Sequence, residues 1–159
     1  MFLNKLQISR CLNISNDFLF LNSCKISKKR KTIYGEFKIS KKNWIFSSHL
    51  IDEPIFPGSL ITESMCQTAM VMIYQKKSKE SSRGYLSSLN ISFKNKIHPK
   101  LKKLIFKTEA KEMFYKRGVS IYKVKFTCKD KKVVYAEGEI THFNSKEFLP
   151  IKKKSQLKE

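Results

Sequence analysis

The sequence predicts an α+β domain in which one long buried helix is wrapped by a curved antiparallel sheet of about six strands. Three observations predict it. Residues 59–74 contain no Pro, no Gly and a single formal charge, so the segment reads as a helix buried nearly all round. Residues 85–95, 102–113, 118–128 and 132–143 alternate apolar and polar side chains with a period of two, the pattern of half-buried antiparallel strands. Two further strand-like runs, 17–26 and 31–40, precede the helix. A sheet with one apolar face must bury it, and the helix is the element available to cover it.

The elements are justified in chain order. Phe2, Leu3 and Leu6 are apolar, but no segment approaches the length of a membrane span, and a soluble, cytoplasmic protein is expected. In the second run Ile33, Gly35, Phe37 and Ile39 alternate with Tyr34, Glu36 and Lys38, and the Lys28–Lys31 cluster before it reads as a turn. Residues 41–57 are too irregular for a strand and carry two turn-forming prolines, so they read as a loop that delivers His49. The helix fades in the polar run 75–82, which ends at Gly84. Beyond it, Tyr122, Val124, Phe126 and Cys128 share one strand face and Lys123, Lys125 and Thr127 the other, with Lys129-Asp130-Lys131 as the hairpin turn. At 159 residues and 41% apolar composition the chain suits one domain. We expect it to occupy 1–145, followed by a polar Lys-rich tail over 146–159.

Charge narrows the function. The formal net charge is +20, yet only Arg10, Arg30, Arg83 and Arg117 among the 33 basic residues are arginines. Base readout and bidentate phosphate clamps rely on Arg, and a buried helix leaves no free recognition helix, so nucleic-acid binding is disfavoured. An acidic protein partner and a merely solvated basic surface both fit. The four cysteines, at 11, 24, 66 and 128, lack metal-ligand spacing and read as reduced structural thiols.

The candidate site lies in the segment His49–Tyr74, which reads HLIDEPIFPGSLITESMCQTAMVMIY. Pro57 stands where no helical N–H is needed, and Gly58 lets another group approach the backbone closely. Glu63 is one charge in an otherwise apolar helix. Burying it unpaired would cost far more than the helix dipole returns, so it needs a partner or a task. Gln67 falls one turn later on the same face, where it could orient the carboxylate or hydrogen-bond a neighbouring backbone group. His98 and His142 have no partner that the sequence names, and Met65, Met70 and Met72 read as core filling.

In order and spacing, His49, Pro54, Pro57, Gly58, Glu63 and Gln67 resemble the active-site segment of the 3-hydroxyacyl-acyl-carrier-protein dehydratases of bacterial fatty-acid synthesis. Looser similarity extends upstream to Phe18-Leu19-Phe20 and downstream to Phe93, Pro99 and Ala136-Glu137-Gly138. Where that family usually has Gly-His-Phe-Pro, this chain has Ser48-His49-Leu50-Ile51.

The resemblance implies the hot-dog fold and a homodimer, or a trimer of such dimers, whose active sites are shared between subunits. It implies His49 as the base, Glu63 as the acid, the Gly58 N–H as the oxyanion donor, Gln67 as a substrate-site residue, and no metal or cofactor. Glu at 63 resembles the branch that dehydrates without isomerising. The implied partner is an acidic acyl-carrier protein, met by basic residues near the entrance: Lys76, Lys77, Lys79, Arg83, Lys94, Lys96 and Lys100. A hot-dog thioesterase and a non-catalytic binder of acyl chains or carrier protein are the alternatives.

Overall fold

A computed structural model describes residues 1–27, 32–40, 42–75, 83–116 and 119–145. Its elements are β1 (Phe2–Asn4), α1 (Lys5–Leu12), β2 (Ser23–Ser27), β3 (Thr32–Lys38), α2 (Trp44–Ser48), α3 (Gly58–Gln75), β4 (Arg83–Phe93), β5 (Lys103–Lys116), β6 (Val119–Asp130) and β7 (Val133–Ser145). The strands form a seven-stranded sheet in the order β1-β2-β3-β5-β6-β7-β4. Every pairing is antiparallel.

The alternation read in β6 holds: Tyr122, Val124, Phe126 and Cys128 are buried, and Lys123 and Lys125 are exposed. That apolar face needs a cover, and α3 supplies it, packing on β3, β5 and β6. The approach is close where α3 crosses β3. A Cβ on Gly35 would lie 2.5 Å from Thr68 Oγ1, so only glycine lets the helix come this near the strand. Polar side chains inside the helix are satisfied locally. Thr62, Ser64 and Thr68 hydroxyls donate to the carbonyls of Gly58, Leu60 and Ser64, at 3.0, 2.8 and 2.9 Å. Among the described residues no helix is long and apolar enough to cross a membrane.

Three expectations are corrected. The first strand is not 17–26 but the shorter β2: Leu19 and Leu21 are buried in alternation, yet Phe18 and Phe20 give backbone groups to a side chain of α3 rather than to a ladder. The 41–57 segment is not wholly loop, because Asn43 Oδ1 accepts from the Ile45 N–H at 3.1 Å and starts α2, whose Ile45 and Phe46 are core. Gly84 lies within β4 rather than closing a polar connection. The N-terminus adds two elements, β1 and α1, and α1 packs against α3. Lys28–Lys31, the polar run through 82 and the tail from 146 lie outside the described residues.

Candidate active site

Glu63 has its partner. The Gln67 amide donates one N–H to Glu63 Oε1 at 3.0 Å and the other to the Phe18 carbonyl at 3.0 Å, while its oxygen accepts from the Phe20 N–H at 3.0 Å. Both readings of Gln67 therefore hold at once. With every donor and its acceptor engaged, the amide cannot rotate without losing three bonds, and it fixes the carboxylate on one side.

The other side of Glu63 opens on a cleft of about 270 Å³. Along α3, Glu63, Cys66, Met70 and Tyr74 form one wall at three- and four-residue spacing, with Leu12 and Ile14 opposite and Leu86 and His142 at the sheet side. The walls are mostly apolar. Burial, and then the Glu63 carboxylate, pushes the Cys66 thiol up to about 12, so it stays protonated and serves as wall rather than nucleophile. His142, buried at 1% exposure in β7, faces Tyr74 edge-on with ring centroids 6.2 Å apart. The sequence reads Met70 as core filling and names no partner for His142. For Met70 no local signal distinguishes a cleft wall from core, since both are apolar and helical.

His49 caps the C-terminus of α2. Its N–H donates to the Ile45 carbonyl at 3.1 Å, and its ring Nδ1 lies 3.1 Å from the Ile55 carbonyl. A carbonyl only accepts, so Nδ1 carries the hydrogen and the neutral ring keeps its lone pair at Nε2. The next residue, Leu50, has φ 54°, a left-handed conformation that costs a side-chain-bearing residue about 1–2 kcal/mol; the Glu53 N–H closes the turn on the Leu50 carbonyl at 3.0 Å. No hydrogen bond or ion pair among the described residues joins His49 to Glu63, and His49 does not line the cleft.

Gly58 opens α3. Leu60 and Ile61 N–H groups turn back to the Pro57 carbonyl, and the Gly58 N–H donates to no acceptor among the described residues, as befits a first-turn donor. The group that approaches this glycine closely is Phe93, whose ring would lie 2.9 Å from an added Cβ. Sequence reasoning had assigned Phe93 no contact.

The proposed carrier contacts divide. Lys94 pairs with Glu137 at 3.1 Å and Lys96 with Glu53 at 2.7 Å; the Lys96 ammonium, hydrogen-bonded to Glu53, holds that carboxyl below its ordinary range. Lys100 is exposed, with no ion-pair partner among the described residues. Arg83 begins β4, and Lys76, Lys77 and Lys79 lie outside the described residues.

A helix laid across an antiparallel sheet in this order is the hot-dog fold, and solved structures share it. One is the dehydratase heterocomplex ApeI:P from Xenorhabdus doucetiae, with TM-score 0.59 and 14% identity over 86% of this chain and 90% of that one. Another is a mutant thioesterase from Pseudomonas aeruginosa, with TM-score 0.62 and 8% identity over 90% and 94%. The fold alone therefore does not choose between the two chemistries. Sequence goes further. The FabA-like domain family model matches residues 14–137, and the chain belongs to this 3-hydroxyacyl-acyl-carrier-protein dehydratase family. A FabZ dehydratase from Campylobacter lari is 30% identical over 99 residues, 59% of this chain and 68% of that protein. One from Clostridium botulinum is 27% identical over 99 residues, 62% and 69%.

Proposed function

We propose that the protein dehydrates 3-hydroxyacyl thioesters of acyl-carrier protein to trans-2-enoyl thioesters in fatty-acid synthesis, at sites shared between two copies of the chain. The observation that carries this reading is the one carboxylate of α3, held by Gln67 on the wall of an apolar cleft. Such a cleft suits an acyl chain, and a single positioned acid at its edge suits a reaction at the head of that chain.

His49 Nε2 takes the proton from the carbon beside the thioester carbonyl. The electron pair shifts toward the carbonyl oxygen, where the Gly58 N–H and the positive end of α3 meet the growing charge. As the double bond forms, the C–O bond breaks, and Glu63, entering the step as the carboxylic acid, gives its proton to the departing hydroxyl, which leaves as water while Glu63 is left as the carboxylate. Among the described residues no hydrogen bond joins His49 to Glu63 and His49 does not line the Glu63 cleft, which fits a site completed by a second copy. β4 offers a place for that copy. It is an edge strand with Leu86, Leu89 and Phe93 exposed, and such an edge is a template for pairing with another strand.

The test is an assay of purified protein with 3-hydroxyacyl-carrier-protein substrate, following the enoyl product by mass spectrometry. Release of free acid instead would identify a thioesterase. For the shared site, chains carrying His49→Ala and Glu63→Gln are mixed and refolded. A heterodimer then contains one site with both changes and one with neither, so up to half the activity returns. Verified heterodimers without activity would show that each site lies within one chain.

A further inference from the structure

His49 is aimed by the turn that follows it, and that turn is strained. Its Nδ1–H donates to the Ile55 carbonyl at 3.1 Å, so the ring keeps its direction only while Ile55 stays in place. Between the two, Leu50 has φ 54°, a left-handed conformation that a side-chain-bearing residue keeps only where its surroundings hold it. The Glu53 N–H closes the turn on the Leu50 carbonyl at 3.0 Å. One such bond is a slight restraint on a loop whose Leu50 and Ile51 side chains are exposed.

A second restraint comes from the segment that follows β4. The Lys96 ammonium donates to both carboxylate oxygens of Glu53, at 2.7 and 2.9 Å, and the Ile97 carbonyl accepts from the Phe56 N–H at 2.8 Å. These contacts fall on either side of Pro54 and Ile55, so they bracket the carbonyl that orients His49. The segment is itself anchored on β7: the Lys94 N–H donates to the Tyr135 carbonyl at 2.8 Å, the Asn95 amide to the Val134 carbonyl at 2.7 Å, and Lys94 pairs with Glu137 at 3.1 Å. At its start, Phe93 lies against Gly58. A strap fastened to β7 therefore reaches both the turn of the proposed base and the glycine of the proposed oxyanion donor.

We propose that Lys96 and Glu53 are positioning residues for the dehydration, a clamp that holds Ile55, and through it the His49 ring, in the orientation that leaves the Nε2 lone pair for the substrate. The proposal rests on the reaction proposed above, and it takes Lys96 out of the set of carrier contacts that the resemblance implies. With its ammonium engaged by two carboxylate oxygens, Lys96 has little charge left to offer an acidic protein. The two roles differ in what they affect. A carrier contact acts on KM for the carrier-bound substrate alone, whereas a clamp acts on kcat for any substrate, because the direction of the base matters in the reacting step. An exposed ion pair adds little to stability, so its loss should slow the reaction modestly without unfolding the chain.

Glu53→Gln and Lys96→Met should each lower kcat about two- to fivefold, equally for the carrier-bound substrate and for an N-acetylcysteamine thioester, with KM and Tm near those of the unaltered chain. The exchanged pair, Glu53→Lys with Lys96→Glu, should recover most of that loss. Leu50→Asn suits the left-handed backbone better, so in its presence Glu53→Gln should cost less. The His49 ring gives a direct reading: nitrogen NMR, with the resonance assigned by its absence in His49→Ala, should show the Nδ1–H tautomer in the unaltered chain and a mixture of tautomers in Glu53→Gln. A loss confined to KM for the carrier-bound substrate would return Lys96 to carrier contact and overturn the clamp, as would unchanged kinetics, an exchanged pair no better than the single variants, or an unchanged tautomer. If no 3-hydroxyacyl substrate is turned over while the tautomer still shifts in Glu53→Gln, the reaction proposed above fails and the clamp on His49 stands.

Discussion

The two sides of α3 are both largely apolar and differ in what they touch. Toward the sheet, Ile61, Ser64, Met65, Thr68, Ala69, Met72 and Ile73 are all buried, and the hydroxyls among them are spent on the helix's own carbonyls. Toward the cleft, Glu63, Cys66, Met70 and Tyr74 are only partly buried. A close-packed side has no room for a substrate and no unspent polar atom. The open side keeps one carboxylate oriented and free on its outer edge. The proposed reaction therefore uses the side of the helix where packing stops.

The largest effect that would break this contrast is on activity. Glu63→Gln and His49→Ala should each cost on the order of 100–10,000-fold in turnover while leaving circular dichroism and Tm near those of the unaltered protein. A folded variant that retains near-normal turnover would remove that residue from the acid or base role. The contrast in packing comes next. Met65→Ala, on the sheet side, should destabilise by about 2–5 kcal/mol, and Met70→Ala by less, since a cleft wall leaves little new cavity. Urea unfolding of both measures this, and equal costs would mean that the two sides pack alike. Met70→Ala should also shift KM among substrates of different acyl length.

A smaller effect sharpens the comparison through pH. Burial pushes the Cys66 thiol from 9.0 to about 12, so the folded state holds its proton where the unfolded chain releases it. Stability from this group is whole below pH 9 and is lost as pH rises through the interval to about 12, by up to roughly 1.4 kcal/mol per pH unit. Urea midpoints at pH 8.5 and pH 10 should therefore fall less in Cys66→Ala than in the unaltered chain; identical slopes would show that the cleft side is wet enough to ionise the thiol. The smallest effect is that of salt. Docking of an acidic carrier on exposed lysines should weaken as the Debye length shortens from about 30 Å at 0.01 M to about 8 Å at 0.15 M. We expect kcat/KM for the carrier-bound substrate to fall over this range with kcat level, and a small thioester to show no such dependence. If both substrates respond alike, the positive charge is general surface and not steering.

Some of what sequence reasoning missed was written locally. Asn4 and Gln7 form a reciprocal capping box at the start of α1, with hydrogen bonds of 3.0 and 2.9 Å, and Asn-x-x-Gln is a readable helix start. Asn43 before Ile45 is a similar sign for α2. Their shortness hid them, since eight and five residues give too few turns for an apolar period to emerge. The 17–26 run misled for a different reason. Its alternation is real, but the backbone of Phe18 and Phe20 bonds to Gln67, 49 and 47 residues away, and no local pattern reports so distant a partner.

The sequence by itself determined the buried helix, the buried faces of β6 and β7 and the spacing of His49, Gly58, Glu63 and Gln67. Those features depend on periodicity, turn chemistry and residue identity, which act within a few residues. Only the tertiary structure decided that β4, next in the chain after α3, crosses to the far edge of the sheet and pairs with β7. It also decided that one amide ties Glu63 to the 18–20 loop and that Phe93 covers Gly58. Each of these joins groups distant in the chain, and such contacts are selected by which complementary surfaces remain to be buried once the local elements have formed.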